Sequence, residues 1–296
     1  MDVKETADDR GLVDGHVDAS GVFNLAMALF AVGASVGCYF TMSHGTAVLS
    51  VVVPAILIAF FYTADPFSLK ARGLGDVAIF LCFGPMLAAG VAIVVAGGVS
   101  FYVIAFSVPV GILTVAILHV NNIRDIEADK KAGLVTLAII LGRRDSIKVY
   151  FALLAAAYGL VMVLLAPLMA TLRLWFVVAS APWALFLVKC VLAGDLQEMP
   201  QRTAQHNLLF GAALTSGLAS PMFLARVLLG CLFYLGGVNN IIMWSYMTEL
   251  VHQKINNVRD EPECVCVCVC VCVCVCVVVL VTLWSYLTYS IVICFY

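Results

Sequence analysis

The stretch "LHVNNIRDIEADKKAG", residues 118–133, decides how this chain is read. Apolar runs flank it on both sides, yet it holds Arg124, Asp125, Glu127, Asp129, Lys130 and Lys131. If the preceding apolar segment continues as helix, Asp125 and Asp129 lie on one face a turn apart, ~5–6 Å between Cβ atoms. Two carboxylates that close repel each other unless a cation sits between them. A hard ion such as Mg2+ suits the pair, because it takes one or two carboxylates and completes its shell with water and phosphate oxygens. Arg124 and Asn122 then face phosphate, the guanidinium by a charged fork and the amide by a neutral hydrogen bond. This is the layout of a diphosphate-binding site at the mouth of a helix bundle. A solvated loop with internally paired charges has the same composition, so the motif alone leaves both readings open.

The composition places that motif in a membrane protein. Of 296 residues, 64% are hydrophobic and 11% charged, with a mean hydropathy of +1.08. Soluble domains run near a quarter charged. A formal charge of −2 and the lack of a basic stripe argue against nucleic acid as a partner. The opening "MDVKETADDRGLVDGHVDAS" is acidic and polar, the opposite of a signal peptide. Of twelve cysteines, seven alternate with valine from Cys264 to Cys276. Without CxxC or HExxH spacing, zinc and disulfide frameworks are disfavoured.

Apolar runs able to cross a bilayer fall near 22–42, 46–62, 76–97, 101–120, 147–169, 174–193 and 207–226. In lipid these must be helices, since every backbone N–H and C=O needs a partner within its own segment. Gly33 and Gly37 form a GxxxG pair, and Gly84, Gly90 and Gly111 mark further points of close helix approach. The connections at 43–45, 98–100 and 170–173 are short and nearly uncharged. Those at 1–21, 63–75, 121–146 and 194–206 are long and polar, and alternation puts all of them on one side. That side carries twelve Lys/Arg through residue 206 against Arg173 alone on the other, so it faces the cytosol. All fourteen acids before residue 207 share that face, which orientation by basic residues does not require. The spans show no ionisable residue near their midplane, which counts against a transporter.

The segment "NNIRDIEADKKAGLVTLAIILG", residues 121–142, resembles the second aspartate-rich motif of the UbiA superfamily of intramembrane prenyltransferases. "FFYTADPFSLKARGLGDVAIFLCFGPM", residues 60–86, is similar to that family's connection between its fourth and fifth helices. "DDRGLVD" and "MPQRTAQHNLLFG" resemble its MenA-like branch, and the likeness covers roughly residues 2 to 222. The resemblance implies an all-α, polytopic transmembrane helix bundle. It also implies Mg2+-assisted ionisation of a polyprenyl diphosphate, such as geranylgeranyl diphosphate, and capture of the cation by an aromatic or quinol carbon. Within the branch the expected acceptor is a naphthoquinol such as menadiol, giving a menaquinone or vitamin K2-type product. Carried over by position, Asp125 and Asp129 are metal ligands, with Asp2 matching the last aspartate of the first motif. Asn122, Arg124 and Lys70 bind diphosphate, and Tyr62 lines the substrate pocket. Asp125, Asp129 and Arg124 are the catalytic set. An interfacial tyrosine is the plainer reading of Tyr62.

Two departures accompany the resemblance. The family has two aspartate motifs and nine spans, whereas Asp2 alone stands for the first motif here. The expectation is an incomplete UbiA-type fold of about seven spans over residues 1–226, impaired in catalysis. Beyond about Arg226 the likeness stops, and "ECVCVCVCVCVCVCVVV" is what an in-frame TG dinucleotide repeat encodes. Residues 227–296 are therefore expected to come from a misassigned or intronic gene segment; a thiol-rich metal-binding tail is the rival. "INNVRDEPE" at 255–263 echoes the main motif, but Cys264 replaces the second acid and Pro262 breaks the helix. The expected setting is an internal membrane, endoplasmic reticulum or Golgi, with the site facing the cytosol. From another class comes the alternative of a non-catalytic membrane scaffold that binds isoprenoid without turnover.

Overall fold

A computed structural model describes residues 18–165 and 177–218; Asp2, residues 1–17 and the tail lie outside them, as does the expected boundary at 226. Helices account for nearly everything described: α1 (Ala19–His44), α2 (Leu49–Phe61), α3 (Gly75–Leu81), α4 (Leu87–Ala96) and α5 (Phe101–Arg124), then α6 (Ile126–Lys131), α7 (Leu137–Leu165), α8 (Ala181–Leu192) and α9 (Met199–Leu218). The chain is thus an all-α, multi-span membrane bundle. Among the described residues, four stretches are long and apolar enough to cross a bilayer: Phe23–His44, Gly75–Ala96, Phe101–Arg124 and Leu137–Leu164. Thr46–Phe61 and Ala181–Leu192 are apolar but shorter.

Helix α5 is the axis. Its most apolar stretch is 61% buried, against 6% for α1, so among the described residues α1 lies at the periphery of the bundle. Ser100 starts α5 by accepting the Val103 N–H on its hydroxyl at 3.3 Å. Leu113, Ala116, Val120 and Ile123 then form a fully buried stripe at helical spacing. Helices α7 and α9 meet that stripe with Tyr150, Ala157, Phe210 and Leu214. Lipid tails are as apolar as these side chains, so close packing and interhelical hydrogen bonds hold the bundle. Such bonds are plentiful: Asn207 donates to Thr114 Oγ1 at 3.1 Å, and the hydroxyls of Tyr150 and Thr203 lie 2.8 Å apart. Each contributes on the order of 0.6 kcal/mol in a bilayer.

The span expected at 76–97 is present as Gly75–Ala96 but kinks midway. Residues Cys82–Met86 form a π-turn, Gly84 leaves helical geometry at φ −107° and ψ −106°, and Pro85 follows it. The break carries Gly84 against α5, where a Cβ on Gly111 would meet the Gly84 Cα at 2.9 Å. Close approach is therefore the role of Gly84 and Gly111. Gly33 departs from its expected packing role, since a Cβ there meets nothing within 4 Å among the described residues.

Two further boundaries move. Helix α7 begins at Leu137, not 147, and bends at Gly142 (φ 76°), so its basic first turns were hidden inside a connection. Helix α9 begins at Met199, eight residues before the expected 207, because the polar run through Asn207 stays helical. That shift brings His206 into a helix, where a connection was expected. His206 is fully buried within α9, with Nε2 2.9 Å from the Tyr158 hydroxyl.

Candidate functional site

Three polar connections meet at one end of the bundle. The loop after α2 folds back so that the Lys70 N–H reaches the Tyr62 carbonyl at 2.9 Å. Its continuation lies beside the segment after α6, with Arg72 and Val135 forming a parallel bridge and the Val135 N–H donating to the Ala71 carbonyl at 3.2 Å. From α5, Arg124 Nη1 reaches the Gln197 carbonyl at 3.3 Å and ties in the connection between α8 and α9. Arg202 braces that third connection through Asp195 at 2.6 Å and Glu198 at 2.8 Å. The shared face inferred from loop polarity is thus a physical cluster.

Within it, α5 runs almost continuously into α6. Asp125 N–H donates to the Asn121 carbonyl at 3.0 Å and Asp129 N–H to the Asp125 carbonyl at 2.9 Å, so one helical turn separates the two carboxylates. Asp125 is held tightly. Arg124 donates from Nε to Oδ1 at 2.7 Å and from Nη2 to Oδ2 at 2.9 Å, and Asn121 adds a third bond to Oδ2 at 3.1 Å. A carboxylate has about four lone-pair sites, so one remains open. Burial pushes the Asp129 carboxyl up to about 6, and the Asp125 charge adds to this against the pull of Lys70 and Arg124. Burial also lowers the Lys70 ammonium from its usual range, while Asp129 and Asp125 pull it back. Lys70 therefore shares the field of both acids.

Asn122 and Arg124, both expected to face phosphate, are placed apart: Arg124 pairs with Asp125 and Asn122 turns inward. Asn121, which sequence reasoning passed over, orients Asp125 and also accepts from Arg124 at 3.1 Å. Asn122 turns inward, buried, and lines a small cavity with Tyr62, Lys70, Asp76 and Thr136. Asp76 and His119 were also missed. Asp76 Oδ2 lies 3.0 Å from His119 Nδ1, and His119 Nε2 lies 3.1 Å from the Ser146 carbonyl. A legible signal existed: His119 precedes Asn122 by three, hence shares its helix face. Of the expected site residues, Lys70, Tyr62, Asn122, Arg124, Asp125 and Asp129 gather at this end of the bundle; Asp2 lies outside the described residues.

The donor set fits a hard cation only partly by itself. Among the described residues no group of three or more Asp, Glu, His or Cys side chains converges. Two carboxylates one turn apart, with Asp129 raised by its neighbour's charge, nevertheless match an ion that draws its remaining ligands from water and phosphate.

Comparison with known proteins agrees with the architecture. The profile of the UbiA prenyltransferase family matches residues 1–214. "UbiA prenyltransferase domain-containing protein 1" of Gallus gallus is 34% identical over 214 residues, covering 72% of this chain and 64% of the relative. Its namesake in Danio rerio is 33% identical over 214 residues, 72% of this chain and 63% of the relative. The namesake in Dictyostelium discoideum is 35% identical over 166 residues, 53% of this chain and 49% of the relative. The matched region therefore spans less than two thirds of these relatives. No solved structure matches the chain. With its family-wide match and a polar cap built from three converging connections, this chain belongs to the UbiA prenyltransferase family.

Proposed function

We propose that the chain is a membrane prenyltransferase that moves an isoprenyl group from a polyprenyl diphosphate, geranylgeranyl diphosphate in the first instance, to a naphthoquinol such as menadiol. The observation that carries this reading is the gathering of Lys70, Arg124, Asp125 and Asp129 where three polar connections meet above an apolar bundle. Magnesium bound at Asp125 and Asp129 would stabilise charge building on the departing diphosphate. Lys70 orients the same headgroup as a point charge, whereas Asn122 is buried on a cavity too small for a phosphate and does not reach the headgroup directly. Arg124 acts mainly through Asp125, fixing the carboxylate so that its open lone pair keeps one direction. The surrounding helices keep water from the allylic cation. The same reading makes the product a menaquinone-type quinone and sets the polar cap toward the cytosol on an internal membrane.

Labelled geranylgeranyl diphosphate and menadiol, with the chain in lipid nanodiscs and Mg2+, test the proposal. Prenylated product that falls at least a hundredfold in Asp129→Ala and in Lys70→Ala is the expected result. One observation favours a second reading: Arg124 and Asn121 already occupy most of Asp125. If isoprenoid diphosphate binds equally well with EDTA and no product forms, the chain is a non-catalytic isoprenoid-binding scaffold.

A further inference from the structure

Asp76 and His119 are not part of the diphosphate cluster, yet their geometry is demanding. Asp76 sits in the first turn of α3 and His119 near the end of α5, 43 positions later, and both are buried. Both ring nitrogens of His119 face oxygens: Asp76 Oδ2 at 3.0 Å and the Ser146 carbonyl at 3.1 Å. A carbonyl oxygen only accepts, so Nε2 carries a proton. A bare Nδ1 facing a bare carboxylate would set two acceptors against each other, so one more proton lies between Nδ1 and Oδ2. That hydrogen bond satisfies one of the two oxygens of the buried carboxyl group.

The second oxygen of Asp76 is the informative one. Oδ1 is buried and has no hydrogen-bond partner among the described residues. Asp76 lines the cavity that also holds Tyr62, Lys70, Asn122 and Thr136. Its interior volume is about 10 Å3, room for a single water-sized group and too little for a phosphate or a ring. A buried acceptor left unmade is costly, so its counterpart is a small hydrogen-bond donor.

The geometry points to Asp76 as the anchor for one hydroxyl of the aromatic acceptor, with His119 as the residue that positions it. This rests on the prenyl-transfer reading and adds the residue that selects the acceptor class, a phenol or hydroquinone. The ring itself stays outside the cavity and only its O–H enters. A hydroxyl donating to a carboxylate gains phenolate character, which enriches the neighbouring ring carbon in electrons. Lys70 lines the same cavity, so that carbon is held beside the diphosphate anchor. In the transfer, the allylic C–O bond breaks with its electron pair leaving on the diphosphate. The ring π pair forms the new C–C bond, and the ring C–H proton goes to solvent while its electron pair restores the ring. Asp76 keeps the hydroxyl hydrogen-bonded throughout.

The test does not depend on turnover. Equilibrium binding of 1-naphthol and of 1-methoxynaphthalene to the full chain in nanodiscs is compared by intrinsic tryptophan quenching. A preference of about tenfold or more for the naphthol is expected, as for a hydrogen bond to a charged group. Asp76→Asn should erase that preference while leaving geranylgeranyl diphosphate binding within about twofold. His119→Gln should weaken the preference without moving diphosphate affinity. Equal binding of the two probes by the unaltered chain overturns the inference, as does a preference that survives in Asp76→Asn. A naphthol preference in a chain that forms no product would instead sink the prenyl-transfer reading and leave the hydroxyl site standing.

Discussion

The Val135 N–H donates to the Ala71 carbonyl at 3.2 Å, joining the loop after α2 to the segment after α6 across 64 positions of chain. This bond and the Arg72–Val135 bridge keep Lys70 within the field of Asp125 and Asp129. Val135→Pro removes the donor while leaving the helices intact. It should weaken diphosphate binding several-fold, in keeping with a bond worth about 1 kcal/mol, with unchanged far-UV circular dichroism. Isothermal titration with geranylgeranyl thiodiphosphate reads the effect.

The Asp125–Arg124 pair makes a different prediction. Asp125→Asn removes the charge that accepts two guanidinium bonds and one amide bond. The site is partly exposed, so the stability loss should be modest, about 1 kcal/mol after solvent screening. Metal-dependent diphosphate binding should fall far more. Comparing melting temperature with affinity in the same variant separates the two effects.

Asp129 sets a pH dependence. Its carboxyl is raised to about 6 in the folded chain, above the ordinary value of 3.8. Between those values the folded state holds more protons than the unfolded state, so stability falls as pH rises through this window and the deficit is complete above about 6. In EDTA, melting temperature should therefore drop from pH 4.5 to pH 7. Added Mg2+ with diphosphate should raise it more at pH 7 than at pH 5, because the ion competes with that proton. An equal rise at both values would count against Asp129 as a ligand.

Two glycines should respond in opposite ways. Gly111→Ala places a Cβ 2.9 Å from the Gly84 backbone and 3.3 Å from the Phe80 ring. Backbone cannot step aside cheaply, so a loss of about 1–3 kcal/mol is expected. Gly33→Ala meets open space and gains helix propensity, so it should be neutral or stabilising by up to about 1 kcal/mol. Fluorescence-detected gel filtration after heating ranks the two.

Much of the site was legible because helical phase is local. Asp125 and Asp129 were placed a turn apart from their spacing, and the backbone bonds from Asp125 and Asp129 have that periodicity. Polar connections at 63–75, 121–146 and 194–206 were assigned to one face by alternation, and they do meet. The roles of Asn121 and Asn122 were not separable in this way. A single residue step turns a helix by ~100°, and only the neighbouring helices decide which amide faces inward. The break at Gly84 was similarly hidden, since "FGPM" reads as a packing glycine until α5 is set against it.

The sequence by itself determined an all-helical membrane bundle with its charged connections gathered on one side. Hydropathy and backbone self-satisfaction in lipid act within each segment, so neighbours in the chain suffice to specify them. Tertiary structure alone decided that Asp76 would face His119 and that Lys70 would return beside Tyr62. The first joins positions 43 apart in the chain and arises only when α3 and α5 pack closely enough for buried polar atoms to find partners; the second closes the loop after α2 on itself.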